Sequence, residues 1–132
     1  MKKIIYFAVF EPTDTGYSVY FPDLPGCVTV GGDMAQAVKM AGRALGLHLW
    51  GMERDGEEIP APTLPPFEDV EEGCFTVPVE IFPAIVKNDI ENKAVKKTLT
   101  IPYWLNEIAE KEGVNFSQVL QVGLKEYLRI SN

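Results

Sequence analysis

The chain has 132 residues, 46% of them hydrophobic, enough for one medium domain or two small ones and too many for wholesale disorder. No uninterrupted apolar run reaches the roughly 18 residues of a membrane span, and Glu11 and Asp14 follow the N-terminal apolar run too closely for a signal peptide. The net charge of −7 is uneven: residues 1–90 carry six Lys/Arg against fourteen Asp/Glu, and residues 91–132 six against five. An acidic body of this kind either meets a basic partner or simply keeps the protein soluble. Two cysteines, Cys27 and Cys74, are too few for a disulfide scaffold, and an intracellular, cytoplasmic protein with reduced thiols is expected.

In chain order, Ile4–Phe10 is a β-branched and aromatic run, and Glu11–Gly16 is turn chemistry. Tyr17–Phe21 alternates as a second strand, close enough to the first for an antiparallel hairpin. Pro22-Asp23-Leu24-Pro25-Gly26 stops it, Cys27–Val30 reads as a third strand, and Gly31-Gly32 ends that one. Asp23 is expected to fix its turn through a local Asx-type bond. Asp33 is an apt N-cap for a helix whose apolar residues, from Met34 through Ala37, Val38, Ala41 and Leu45 to Leu49, recur at helical spacing. Residues Gly51–Pro66 are polar and proline-rich and predict a loop. Cys74–Ile81 reads as a fourth strand, with Pro78 placing it at an edge or bulge. The expected first domain is thus βββαβ over residues 1–82, followed by a connector, partly helical, over 83–95.

Lys96–Ile101 alternates as a short strand, with Lys96, Thr98 and Thr100 on one face and Leu99 and Ile101 on the other. Pro102 suits a helix start, Tyr103–Glu112 reads as a helix with Leu105 and Ile108 inward, and Gly113 suits the position after its end. Asn115 then caps a second helix, with Gln118 at its third position and Phe116, Val119, Leu120, Leu124, Tyr127 and Leu128 in its apolar stripe. One strand and two short helices cannot bury that surface alone. Pairing the strand with that of a second copy would cover it and make a two-stranded ribbon that fits a DNA major groove.

The order strand, Pro, helix, Gly-Val-Asn-Phe-Ser-Gln, helix resembles the ribbon-helix-helix repressor family over about Lys96–Leu128. That resemblance implies base reading by Lys96, Thr98 and Thr100. It also implies a phosphate clamp at Asn115, Phe116 and Ser117, and dimerisation through Leu99, Ile101, Leu105, Ile108, Val119, Leu120 and Leu124. Two of the three base readers are threonines where many family members carry stronger donors, so base specificity per dimer is expected to be modest.

The string Gly16-Tyr17, then Phe21-Pro22-Asp23-Leu24-Pro25-Gly26-Cys27, followed by a helix with Ala35, Ala37 and Ala41, resembles the HicB antitoxin family over about Ile4–Ile81. The resemblance implies an α+β protein: an N-terminal partial RNase H-like βββαβ domain, residues 1–82, that binds a toxin, and a C-terminal ribbon-helix-helix (β-α-α) module, residues 96–132. The implied partner is a HicA-type toxin, a small basic mRNA endoribonuclease, and the implied roles are its neutralisation and repression of the shared operon. The partner forms are a homodimer through the ribbon, a homotetramer if the first domain also self-associates, and operator DNA. The toxin-contacting residues, somewhere within 1–82, are unassigned.

Other readings weigh less. Nuclease chemistry needs converging carboxylates, whereas the first strand has no central acid and Glu68, Asp69, Glu71 and Glu72 fall in a loop, so no catalysis, metal or cofactor is expected. His48, the single histidine, reads as structural. Cys27 and Cys74 would approach each other only if the third and fourth strands were neighbours; two buried thiols are the plainer expectation. Trp50 fits core or interface equally. The competing function is a stand-alone ribbon-helix-helix repressor whose first domain senses a small molecule.

Overall fold

The computed structural model describes residues 2–130; Met1, Ser131 and Asn132, at the outer ends of the two expected domains, lie outside the described residues. It is a mixed α+β structure with strands β1 (Ile4–Thr13), β2 (Gly16–Tyr20), β3 (Val28–Gly31) and β4 (Phe75–Ile81). Its helices are α1 (Met34–Arg54), α2 (Pro83–Glu91), α3 (Tyr103–Lys111) and α4 (Phe116–Leu128). The chain divides into two compact units, residues 1–94 and 95–132.

In the first unit the four strands form one antiparallel sheet in the order β3-β2-β1-β4. The register sorts side chains by parity. Ile4, Tyr6, Ala8 and Phe10 of β1 sit beside Ile81, Val79, Val77 and Phe75 of β4, and Phe10 also sits beside Val19 of β2. These residues meet Ala37, Ala41, Leu45 and Leu49 of α1 to form the core, with an aromatic cluster of Phe10, Tyr17 and Phe75 at one end. Alanines at 37 and 41 let α1 lie close to the sheet. The approach is tightest at Gly31, where a Cβ would stand 2.4 Å from the backbone nitrogen of Ala37. Asp33 caps α1 by accepting from the Gln36 N–H at 2.8 Å.

Several elements differ from the sequence expectation, each for a local reason. The first strand runs on to Thr13 because Pro12 pairs with Tyr17 beyond the last residue paired to β4, where its missing N–H leaves no ladder bond unmade on that side. Helix α1 continues through Gly51 to Arg54 instead of yielding to a loop. Met52 packs on the core, the Trp50 indole donates to Glu91 at 3.2 Å, and the Arg54 guanidinium lies 4.9 Å from the Trp50 ring centre. Such contacts oppose the roughly 1 kcal/mol that a helical glycine costs. Asp23 makes no local Asx bond. The turn is closed by backbone bonds from Leu24 N–H to Phe21 and from Cys27 N–H to Leu24, while the Asp23 carboxylate accepts from Thr63 N–H at 2.7 Å. Together with the Tyr6 hydroxyl donating to the Pro60 carbonyl, it pins the proline-rich loop to the body.

Strands β3 and β4 lie at opposite edges of the sheet, which keeps Cys27 and Cys74 apart, and both thiols are free. Cys27 is buried, and burial pushes its thiol up to about 11; Cys74 is only half-buried, correcting the expectation of two buried thiols. Pro78 sits on the edge strand β4. Part of the expected connector, 83–91, is α2, started by Pro83.

In the second unit, residues 93–102 carry no strand, contrary to the expected strand at Lys96–Ile101. A strand exists only through its ladder, and the described chain offers this segment no partner strand.

Candidate functional site

Two surfaces carry the residues singled out above. The second unit holds the expected nucleic-acid site. Helix α3 ends in a Schellman arrangement: Val114 N–H donates to Ala109 and Gly113 N–H to Glu110, with Gly113 at φ +66°, a conformation that favours glycine. That turn delivers Asn115 to the start of α4, where its Oδ1 accepts from Gln118 N–H at 3.1 Å. The cap occupies the third amide of the helix. The N–H groups of Phe116 and Ser117, one and two residues after the cap, have no acceptor among the described residues and stand at the positive end of the helix dipole. Asn115, Phe116 and Ser117 are exposed and gathered at this one point. Lys96, Thr98 and Thr100 are exposed as well, on the irregular segment before α3.

The residues expected to dimerise share one property: they are not buried in the single chain. Neither α3 nor α4 contains a buried residue. Leu99, Ile101, Leu105, Ile108, Val119 and Leu124 are exposed, Leu124 to 50%, and Leu120 is half-buried. That much apolar side-chain area in water is more than two short helices bury between them.

The first unit presents different chemistry. Its acids do not converge on a site: among the described residues no group of three or more His, Cys, Asp or Glu is placed to hold a metal. Asp23 is engaged in pinning the loop, and Glu68, Asp69, Glu71 and Glu72 are exposed on the segment leading into β4. His48 lines a surface cleft with Asp23, Leu24, Met52, Glu57 and Pro60. The feature that sequence reasoning missed is the sheet face away from α1, on which Val28 and Val30 are 65% and 66% exposed. The visible signal was Val28-Thr29-Val30 itself: its alternation shows that one face of the strand is apolar, but not that this face is the uncovered one.

A four-stranded antiparallel sheet backed by a long helix, followed by a small unit of two helices, defines a two-part α+β class. Residues 6–120 match the family model described as the HicB-like antitoxin of bacterial toxin–antitoxin systems, and the chain belongs to that family. It is similar to Antitoxin HicB 2 of Photorhabdus laumondii, 37% identical over 62 residues, which is 47% of this chain and 45% of that protein. The matched stretch spans less than half the length of the curated relatives. Among solved structures, a toxin–antitoxin complex from Streptococcus pneumoniae is similar over 96% of this chain and 99% of its own, at 28% identity and a TM-score of 0.57. A HicA3 and HicB3 toxin–antitoxin complex is similar over 61% of this chain and 100% of its own, at 29% identity and a TM-score of 0.51. No helix among the described residues is long and apolar enough to cross a membrane.

Proposed function

We propose that this chain is the antitoxin of a type II toxin–antitoxin pair, acting in the cytoplasm by binding rather than by catalysis. Residues 1–82, a partial RNase H-like βββαβ domain, bind and neutralise a HicA-type mRNA endoribonuclease. Residues 83–95 link them to residues 96–132, a ribbon-helix-helix module that pairs with a second copy, binds operator DNA and represses the operon encoding both proteins. The observation that carries the reading is the family match over residues 6–120, together with the likeness to the HicA3 and HicB3 complex. The excess of acids over bases in residues 1–90 agrees with it, because opposite potentials speed association with a basic RNA-cleaving protein.

Two features support the role of the second unit. The unburied stripe of Leu105, Ile108, Val119, Leu120 and Leu124 would be covered by a second copy, and Lys96–Ile101 would gain in that copy the antiparallel partner it lacks. The paired strands would then carry Lys96, Thr98 and Thr100 into the major groove. The unpaired amides of Phe116 and Ser117 would each meet a phosphate. Dyad symmetry then requires a palindromic or repeated operator, and self-association of the first units would join two dimers into a tetramer.

The test is co-expression. The adjacent gene should encode a small basic protein that arrests growth alone and is tolerated with this chain present. The purified full-length chain should sediment as a dimer or larger and retard DNA from its own promoter. Arrest that persists despite co-expression would sink the antitoxin reading, and a monomer at micromolar concentration would sink the ribbon.

A further inference from the structure

Parity along β1 defines a second sheet face, on the side away from α1. Ile5, Phe7, Val9 and Glu11 alternate with the core residues and point away from α1. Across the sheet, Val9 stands beside Tyr20, which stands beside Val28; Glu11 stands beside Ser18, which stands beside Val30; and Phe7 stands beside Pro78. Val28, Val30, Pro78 and Ile5 are exposed, Phe7 and Tyr20 are half-buried, and Val9 between them is fully buried, so the accessible part of the face lies along β3 and at the β1–β4 end. Exposed valines on an edge strand of the sheet are the kind of apolar feature that marks an interaction site.

Its charge is one-sided. Of the six basic residues among 1–90, Lys39, Arg43 and Arg54 belong to α1 and Lys87 to α2, off the sheet, while Lys2 and Lys3 precede β1 at its N-terminal end. Lys3, just before β1, is already paired with Glu80 at 3.5 Å. Glu11 lies on the face itself with no ion-pair partner among the described residues. Asp69 and Glu71 lie near it: burial raises the pKa of the Tyr20 hydroxyl, and Cys74, Glu11, Glu71 and Asp69 add to that in this order.

We infer that this open sheet face, centred on Tyr20, Val28 and Val30 and edged by Glu11, Asp69 and Glu71, is the surface that docks the toxin. The patch it accepts is an apolar centre flanked by lysine or arginine. The inference rests on the antitoxin reading above and specifies where that binding occurs. Charge selects the occupant: an RNA-cleaving protein must present a basic surface to phosphates, and acids edging an apolar platform complement it. A second copy of the same face would bring acid against acid. The apolar residues supply the desolvated centre of the contact and the acids its register and on-rate.

The experiment titrates the full-length chain against the basic protein encoded beside it, by calorimetry at two salt concentrations. The variants are Val28→Lys/Val30→Lys, Glu11→Lys, and the control Leu47→Lys on the exposed side of α1. Both valines and Glu11 are exposed, so circular dichroism melts should remain near that of the native chain. The valine pair should weaken toxin binding about a hundredfold and Glu11→Lys about tenfold with a smaller salt dependence, while Leu47→Lys binds within about twofold of native. If the valine pair misfolds, Glu11→Lys against Leu47→Lys decides alone. Native-like toxin binding by the open-face variants overturns this surface and leaves the antitoxin reading intact. Native-like toxin binding with a fall in sedimenting mass assigns the face to a second copy and also overturns it. Failure of the native chain to bind the toxin overturns the antitoxin reading itself.

Discussion

Asn115 offers a substitution that separates folding from DNA binding. Its Oδ1 accepts from Gln118 N–H at 3.1 Å, and the amides of Phe116 and Ser117 are left for an anion. Asn115→Ala removes the acceptor and should cost about 1 kcal/mol per α4, the usual value of an N-cap. Asn115→Asp keeps the acceptor and adds a negative charge at the positive end of the helix, worth about 0.3–1 kcal/mol in favour of the fold. On DNA the sign reverses. A carboxylate about 4 Å from a phosphate costs about 1 kcal/mol even at the dielectric constant of water, so two α4 termini in a dimer lose about 2 kcal/mol, or about thirtyfold in affinity. Urea unfolding by circular dichroism should therefore rank Asn115→Asp at or above native and Asn115→Ala below it. Fluorescence anisotropy with labelled promoter DNA should rank Asn115→Asp weakest. Native affinity in Asn115→Asp would refute the phosphate contact at α4. Equal destabilisation by Ala and Asp would refute the cap.

Other perturbations test the remaining structure. Substituting Thr98 or Thr100 with Ala should lower operator affinity roughly tenfold, and Lys96→Ala should in addition shallow the salt dependence by about one unit per protomer. All three should melt as the native chain does; loss of the fold would mean that the two faces of the proposed ribbon strand are reversed. Gly31→Ala forces a methyl against the Ala37 backbone, where a Cβ stands at 2.4 Å. It should cost about 2–3 kcal/mol and lower the melting temperature by roughly 10 °C or more, and a shift under about 2 °C would refute that close approach. Burial raises the Cys27 thiol from its ordinary value of 9.0 to about 11, so the folded chain holds a proton there that the unfolded chain has released. Stability from this group is complete below pH 9 and is lost as pH rises toward 11. Cys27→Ala should flatten that part of the pH–stability curve, and an unchanged slope would refute the burial effect.

The two units place function differently. In the second, the proposed chemistry lies at chain positions fixed by local rules: a Schellman turn at Gly113 delivers a capped helix start, and the proposed anion site is the set of amides the cap leaves over. In the first, no motif marks the proposed docking face. It exists because a single helix covers one side of a four-stranded sheet and nothing among the described helices packs on the other.

Much of this was legible in the residues alone. The β-branched and aromatic run of β1, the alternation of β2, the Asp33 and Asn115 caps and the Gly113 stop are local signals, and short-range sterics and hydrogen bonding determine them. The string from Phe21 to Cys27 carried the family resemblance because its prolines and glycine dictate one tight, backbone-closed turn. Tertiary structure decided the rest. Asp23 turned from its own turn to Thr63, forty residues away, and α1 ran past Gly51 because Trp50 and Met52 had partners that no local window contains. The sheet order sent Cys27 and Cys74 to opposite edges. Alternation says that a strand has two faces but not which one a helix will cover, and that choice left Val28 and Val30 in solvent. Residues 96–101 carry the pattern of a strand without a ladder, because a strand is completed by a neighbour and the described chain supplies none.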